Sequence, residues 1–465
     1  MSETTVTRTL VQEIRFDSLE QEQLIRELCH YSKNLYNEAL YAINQKYEET
    51  SSNEKPHYMN YYETDAYMKS INSTNYRMLP SGVAQQTLQI LDKNYKSFFG
   101  SLKGKSRGTI THKVHIPKYL PKDGYNVLCF NYTNFHIDNS CVTLSLAREY
   151  VKLHPESKFL LTFKLSPLIK ILEHKYVESK YYNSLKMIRI VPKNNKFKIE
   201  FVYTTPIINA IQGKGHISID LGLSNFATYI TSNNSTGIID GRYIKSVNQW
   251  YNKENSRLQS IKDKMHLPKS LTVRQSKLLE IRNNKIKEFM NRSIDYLIKL
   301  CEQEAITTLV IGELKNIKQE ANLGRRNNQN FVQIPYDTFK QKLKAKCELH
   351  DIKYVEVNEA YTSKTDALAL DTIGKQVRDD RRVKRGLYQS STGTLINADV
   401  NGAMNIMRKV AGDSIINEIV SRGVPNTPRR IRLAYEQTPS KLNERISVHS
   451  NIYGLTDTGI NTLRS

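Results

Sequence analysis

The sequence predicts a multi-domain protein. A β-rich, barrel-like N-terminal module carries an inserted helical lobe, and an α/β domain with its own helical insertion follows. Two observations predict this, and a third points to the partner. At 465 residues the chain exceeds one ordinary domain and has apolar content enough for more than one core. Its apolar periodicity changes from strand to helix and back before settling into an α/β alternation. Its charge, 68 Lys plus Arg against 46 Asp plus Glu for a net +22, suits a polyanionic partner, which makes nucleic acid the leading candidate.

The opening MSETTVTRTLVQEIRF lacks a basic flank followed by an apolar core. No run of about 18 apolar residues occurs anywhere, so an intracellular, soluble protein with no membrane partner is expected. The five cysteines, Cys29, Cys129, Cys141, Cys301 and Cys347, are scattered and never form a C-x-x-C pair. Neither a disulfide framework nor a zinc ribbon is supported, and buried free thiols are expected.

Residues 4–16 alternate apolar and polar with β-branched types, as a strand does. From about 18 to 100 the spacing is helical. The clearest stripe is Val83, Ala84, Thr87, Leu88, Leu91, Tyr95, Phe98 and Phe99, the pattern of a core face. Helical character is expected to stop at Gly100, leaving Lys103, Lys105 and Arg107 on a glycine-containing basic loop that either contacts phosphate or is solvated. Strand signals return between about 110 and 205 in NVLCFNYTNFHI, CVTLSL, KFLLTFKL, MIRIVP and FKIEFVYTT, separated by turn chemistry. An initial strand, a helical excursion and further strands suggest one module, 1–17 with 105–211, carrying the lobe 18–104.

GHISIDLGLSNFATYIT at 215–231 reads as strand, turn and strand, and a long helical stretch follows over about 245–302. Between Lys245 and Arg292 stand 12 Lys or Arg against four Asp or Glu, a face open to phosphate or merely solvated. TTLVIGEL at 307–314 is a short buried strand, followed by a helix around 335–350 and a strand at KYVEVN. From 411 the chain reads as a polar tail through 465.

Three carboxylates occupy expensive positions. Asp220 follows the apolar run ISI, Glu313 ends LVIG, and Asp399 follows LINA at the start of the helical VNGAMNIMRKV. A charge attached to a buried strand costs free energy unless it is paired or metal-bound. One arrangement that accounts for all three is a two-metal site, in which carboxylates gather Mg²⁺ or Mn²⁺ and the ions orient water and stabilise phosphate oxygens. Singly, each has a plainer reading as a strand-end cap or turn former.

Together ISIDLGLSNFAT, IIDGRYIKSVNQWYNKENSRLQS, LVIGELKNIK and NADVNGAMNIMRKV resemble the split RuvC domain of the transposon-encoded TnpB proteins, relatives of type V CRISPR effectors. The resemblance is densest over 212–410. LPSGVAQQTLQILDKNYKSFFGSLKGKSRG and HIPKYLPKDGYNVLCF are similar to the helical and wedge-like modules of that family. By this resemblance Asp220, Glu313 and Asp399 match the three RuvC acids. The resemblance implies an RNase H-like core, a guide RNA derived from the transposon end, double-stranded target DNA and an RNA-guided endonuclease. Such a protein works in the prokaryotic cytoplasm, at the nucleoid when bound to DNA. The alternative is a DNA-binding regulator or accessory protein of a transposon that does not cut.

One departure from the family is plain. Its four-cysteine zinc element would follow a TSKT-like motif, but here Thr362–Thr365 leads into Asp366-Ala367-Leu368-Ala369, and Tyr388-Gln389-Ser390-Ser391 replaces the second pair. No zinc is expected in the insertion 361–398. KQVRDDRRVKRG fills the region, and its Arg378, Arg381, Arg382, Lys384 and Arg385 are candidate nucleic-acid contacts.

Overall fold

A computed structural model describes residues 5–52, 57–138, 141–164, 185–193, 196–207, 210–266, 270–313, 333–374, 382–384, 386–423 and 427–433. The chain divides into two units, Met1–Pro206 and Ile207–Ser465.

In the first unit the alternating stretch forms β1 (Thr5–Glu13). The helices α1 (Leu19–Glu49), α2 (Tyr61–Ser70), α3 (Thr74–Arg77) and α4 (Ser81–Ser106) follow. Ser18 caps α1 by accepting from the Gln21 amide, and Asn60 with Glu63 forms a reciprocal capping box on α2, so both starts are set by local side chains. Next come β2 (Leu128–Asn131), β3 (Phe135–Asp138), β4 (Cys141–Leu144), α5 (Arg148–Leu153), β5 (Thr162–Lys164), β6 (Leu185–Lys193) and β7 (Lys196–Pro206).

The strands form an antiparallel sheet in the order β1-β7-β6-β2 and a second in the order β3-β4-β5. Val6 lies opposite Thr205 and Glu13 opposite Lys198, so the first strand returns across the whole helical excursion to pair with the last strand of the unit. Leu28 and Leu35 of α1, Leu88 and Leu91 of α4, and Phe130 and Ile188 of the sheet share one buried core.

Two expectations need correction here. Helix α4 does not stop at Gly100 but runs on to Ser106, because glycine only weakens a helix whose apolar face is already packed. Lys103 and Lys105 therefore lie in its last turn, where cations complement the exposed carbonyls. The true stop is Gly108, at φ +72°: its amide bonds Lys105 O at 3.0 Å and that of Thr109 bonds Gly104 O at 2.9 Å, a Schellman closure with Arg107 as the cap. Among the described residues of KFLLTFKL only Thr162–Lys164 form a strand, since Pro155 initiates a 3₁₀ turn through Phe159.

The second unit opens with β8 (Gly215–Leu221), β9 (Asn225–Thr231), β10 (Thr236–Asp240), α6 (Arg242–Lys264), α7 (Val273–Gln303) and β11 (Ile306–Glu313). It continues with α8 (Tyr336–Leu349), β12 (Lys353–Asn358), β13 (Arg382–Lys384), β14 (Leu387–Gln389), β15 (Leu395–Asn397), α9 (Ala398–Ala411), α10 (Ser414–Ser421) and β16 (Arg429–Ile431). The long helical stretch is two helices, the second restarted by a capping box between Thr272 and Gln275.

A six-stranded sheet has the order β12-β11-β8-β9-β10-β16. Strands β8, β9 and β10 are an antiparallel meander, β11 runs parallel to β8, and β12 runs parallel to β11. One core gathers Ile217, Ile219, Phe226, Phe289, Leu309 and Phe339, and another gathers Tyr388, Met404, Met407 and Ile416. The tail expected from 411 is folded at its start: α10 buries Ile415, Ile416 and Ile419, and β16 pairs parallel with β10. Its remainder from 434 lies outside the described residues.

Cys29, Cys129, Cys301 and Cys347 are buried free thiols, and Cys141 is half-buried and free. Among the described residues no helix is long and apolar enough to cross a membrane.

Candidate active site

Because β8 and β11 are parallel and adjacent, their carboxyl ends reach the same edge of the sheet, the edge at which open α/β sheets generally bind their ligands. Asp220 is the penultimate residue of β8 and Glu313 the last of β11. Ile219 pairs with Ile311, which sets Asp220 beside Gly312. On the other side Asp220 lies opposite Thr228 of β9.

The third carboxylate arrives on a helix. Asn397 caps α9, accepting from the amides of Asp399 at 3.0 Å and Val400 at 3.3 Å, so Asp399 occupies the first turn, where the helix dipole favours an anion. Ser218 Oγ donates to Ala403 O at 2.7 Å and ties the helix to β8. Gly402, three residues after Asp399 and so on the same face, lies against Asp220: a β-carbon there would stand 2.8 Å from Asp220 Oδ2.

The electrostatics follow from this packing. Burial pushes the Asp220 carboxyl well above the usual carboxylate range, the nearby charges of Glu359 and Asp399 push it further, and Arg382 opposes them. Asp399 has a dedicated donor, Asn225 Nδ2, at 2.6 Å from its Oδ2. The Asn225 carbonyl oxygen in turn accepts from both terminal nitrogens of Arg430 at 3.3 Å, and Arg430 also faces Asp240 at 3.5 Å. The strand β16 thus supplies a residue that orients the site.

Glu359, just beyond β12, is a fourth carboxylate at this edge. It lies over Gly312, where an added β-carbon would collide with its Oε1, and that Oε1 is buried without a hydrogen-bond partner. Burial pushes its carboxyl up to about 7, against the pull of Lys340 and Lys409. Neither Glu359 nor Asn225 stands out in the sequence. Glu359 follows a strand that already alternates charge, and Asn225 reads as an ordinary turn residue.

The structure therefore brings Asp220 and Asp399 together with Glu359 and sets Glu313 at the end of the neighbouring strand. Among the described residues no three His, Cys, Asp or Glu side chains are gathered closely enough to hold a metal ion as they stand. The donors are nevertheless the right kind for one. They are hard oxygens, and one of them, Glu359 Oε1, is buried without a hydrogen-bond partner.

The basic candidates divide. Lys103, Lys105 and Arg107 are exposed at the end of α4. Arg382 and Lys384 are exposed on β13, and Arg382 is the cation that acts on Asp220. Arg378, Arg381 and Arg385 lie outside the described residues.

Comparison with known proteins falls on the same residues. A family model described as a probable transposase, OrfB_IS605, matches 200–318, and one for the TNB domain of Cas12f1-like proteins matches 336–406. The chain is 22% identical over 421 residues to the TnpB-like protein ORF457 of Acidianus two-tailed virus, covering 86% of each. A solved Cas12f1–sgRNA–target DNA complex contains a chain similar in fold, with TM-score 0.57 at 14% identity, over 86% of this chain and 98% of that one. The architecture is thus a multi-domain, Cas12-like one of helices and mixed sheets.

Proposed function

We infer that this chain, which belongs to the TnpB family, is a transposon-encoded RNA-guided DNA endonuclease with a RuvC site made by Asp220, Glu313 and Asp399. The observation that carries the reading is the meeting of Asp220, at a buried strand end, with Asp399, on the first turn of the helix packed across that strand. The sheet order supports an RNase H-like core: a three-strand meander extended by two parallel strands, with an acid at each of two adjacent carboxyl ends.

Mg²⁺ or Mn²⁺ fits these hard oxygen donors, and when bound it supplies an activated water and charge stabilisation at the attacking and leaving oxygens of a phosphodiester. The chain's own residues do the positioning. Asn225, fixed by Arg430, holds Asp399 through Oδ2 and leaves its other carboxylate oxygen for the ligand. Gly402 leaves the volume that the Asp220 carboxyl fills.

In this reading 1–17 with 105–211 form the wedge, 18–104 the recognition lobe and 212–410 the nuclease domain. Its partners are a guide RNA from the transposon end and double-stranded target DNA, in line with the guide RNA and target DNA bound in the similar Cas12f1 complex. Base pairing reads the target sequence while the protein reads a short flanking motif and the backbone. The net charge of +22 suits both polyanions. The segment 361–398 holds no zinc, having no cysteine to offer it. The place of work is the prokaryotic cytoplasm, at the nucleoid when bound to DNA.

Sequencing the RNA that co-purifies with the protein, expressed from its native flanking DNA, tests the guided part. A single RNA of defined sequence is expected. RNA of random sequence, or none, points instead to an unguided accessory protein.

A further inference from the structure

Between Glu359 and the end of α9 the chain buries polar groups that the proposed chemistry does not use. Asp366 is fully buried, as are Thr365, Asn401 and Asn405, and Ser390 is 3% exposed. A buried carboxylate is tolerated only when N–H and O–H donors surround it, and Asp366 is so surrounded. Its Oδ1 accepts from the amides of Leu368 and Ala369 at 3.2 Å, within its own turn. Ser390 Oγ donates to it, 2.9 Å from each oxygen, and the Ser391 amide donates to Oδ2 at 2.7 Å. Those two residues belong to the turn between β14 and β15, so one side chain joins two turns more than twenty residues apart in the chain.

The same loop is bound to α9. Asn401 Oδ1 accepts from the Ala367 amide at 3.0 Å, and its Nδ2 donates to Thr365 O at 2.7 Å. Asn405 Nδ2 donates to Thr362 O at 2.9 Å and Thr365 O at 2.7 Å, and Arg408 Nη2 donates to Asp371 O at 3.0 Å. These residues recur at three- and four-residue spacing along the helix, so one face of α9 is read by a single loop. Asp399 begins that helix.

We propose that Asp366 is a positioning residue: by tying its own turn to Ser390 and Ser391 it fixes the loop 362–371, which Asn401 and Asn405 bind to α9, and thereby sets where Asp399 stands. The clamp joins the hydrogen bonds that one buried carboxylate accepts to those that Asn401, Asn405 and Arg408 make with the same loop, in a segment whose sequence offers no soft metal ligand. It acts on the metal site only through the helix, and to that extent rests on the proposed nuclease reading.

Hydrogen exchange on the full-length protein tests the clamp directly, comparing wild type with Asp366→Ala and, as a milder variant, Ser390→Ala. In Asp366→Ala, exchange is expected to quicken at least about tenfold in peptides covering 361–371, 386–397 and 398–411, less so in Ser390→Ala, and not at all in β8 and β11. Mn²⁺ affinity, read by calorimetry, is expected to fall about tenfold in Asp366→Ala, as for other groups that orient ligands from behind. Unchanged protection of 398–411 together with wild-type Mn²⁺ affinity overturns the proposal. If the wild-type protein takes up no Mn²⁺ while 398–411 still loses protection in the variants, the clamp stands and it is the nuclease reading that fails.

Discussion

Gly402→Ala separates stability from chemistry. The new β-carbon would lie 2.8 Å from Asp220 Oδ2 and 3.6 Å from its Cγ, so the carboxyl must turn aside by several tenths of an ångström. Because the obstructing atom is the free end of a side chain, the overpacking cost belongs at the low end of about 1–3 kcal/mol. Alanine in a helix interior recovers about 1 kcal/mol over glycine. The two nearly cancel, and the melting temperature is expected to move by no more than a few degrees. The chemistry has no such compensation, since a ligand displaced on this scale costs about 10- to 100-fold in rate. The assay pairs a thermal melt with cleavage of a matched DNA by the RNA-loaded protein in Mg²⁺. A variant that melts normally and cuts within about threefold of wild type would refute the placement of Asp220 Oδ2 at the reacting centre.

Other consequences are measurable. Asn225→Ala removes the donor that holds Asp399 Oδ2, and we expect metal affinity to fall about 10-fold or more with folding intact; unchanged affinity removes Asn225 from the site. Affinity for nucleic acid should drop steeply between low and physiological salt, log–log linear with a slope set by the phosphates contacted, and a flat response contradicts a backbone-dominated interface. Cleavage should need Mg²⁺ or Mn²⁺, surviving a zinc-selective chelator but not EDTA, and elemental analysis should find no stoichiometric zinc. One zinc per chain means the segment 361–398 is built differently.

The strand-end acids are legible because ISID and LVIGE set a charge at the end of a mainly apolar run, a contrast that alternating strands lack. KYVEVN alternates, and so Glu359 behind it carries no signal, although the structure lays it over Gly312 beside Asp220. Asn225 and Arg430 escape notice for another reason: they acquire meaning only when β9 and β16 are brought together, across some two hundred residues of chain. A three-residue strand reading Arg429-Arg430-Ile431 looks polar until β10 supplies its partner. At Gly100 the sequence misleads in the opposite sense, since a breaker is visible but a single glycine only weakens a helix already established by the packing upstream of it, and α4 ends where Gly108 adopts a left-handed conformation. The return of β1 to β7 was suggested by order alone, and the pairing register supplies what order could not.

The most direct test of the central claim is cleavage of a guide-matched DNA duplex, next to its flanking motif, by the RNA-loaded protein and its Asp220→Ala, Glu313→Ala and Asp399→Ala variants. Wild type is expected to cut in Mg²⁺, and each variant to lose cutting while keeping wild-type affinity for RNA and DNA. Cutting at near wild-type rate by any one variant contradicts that residue's place in the site. A wild-type protein that binds its matched duplex and leaves it intact contradicts the nuclease altogether.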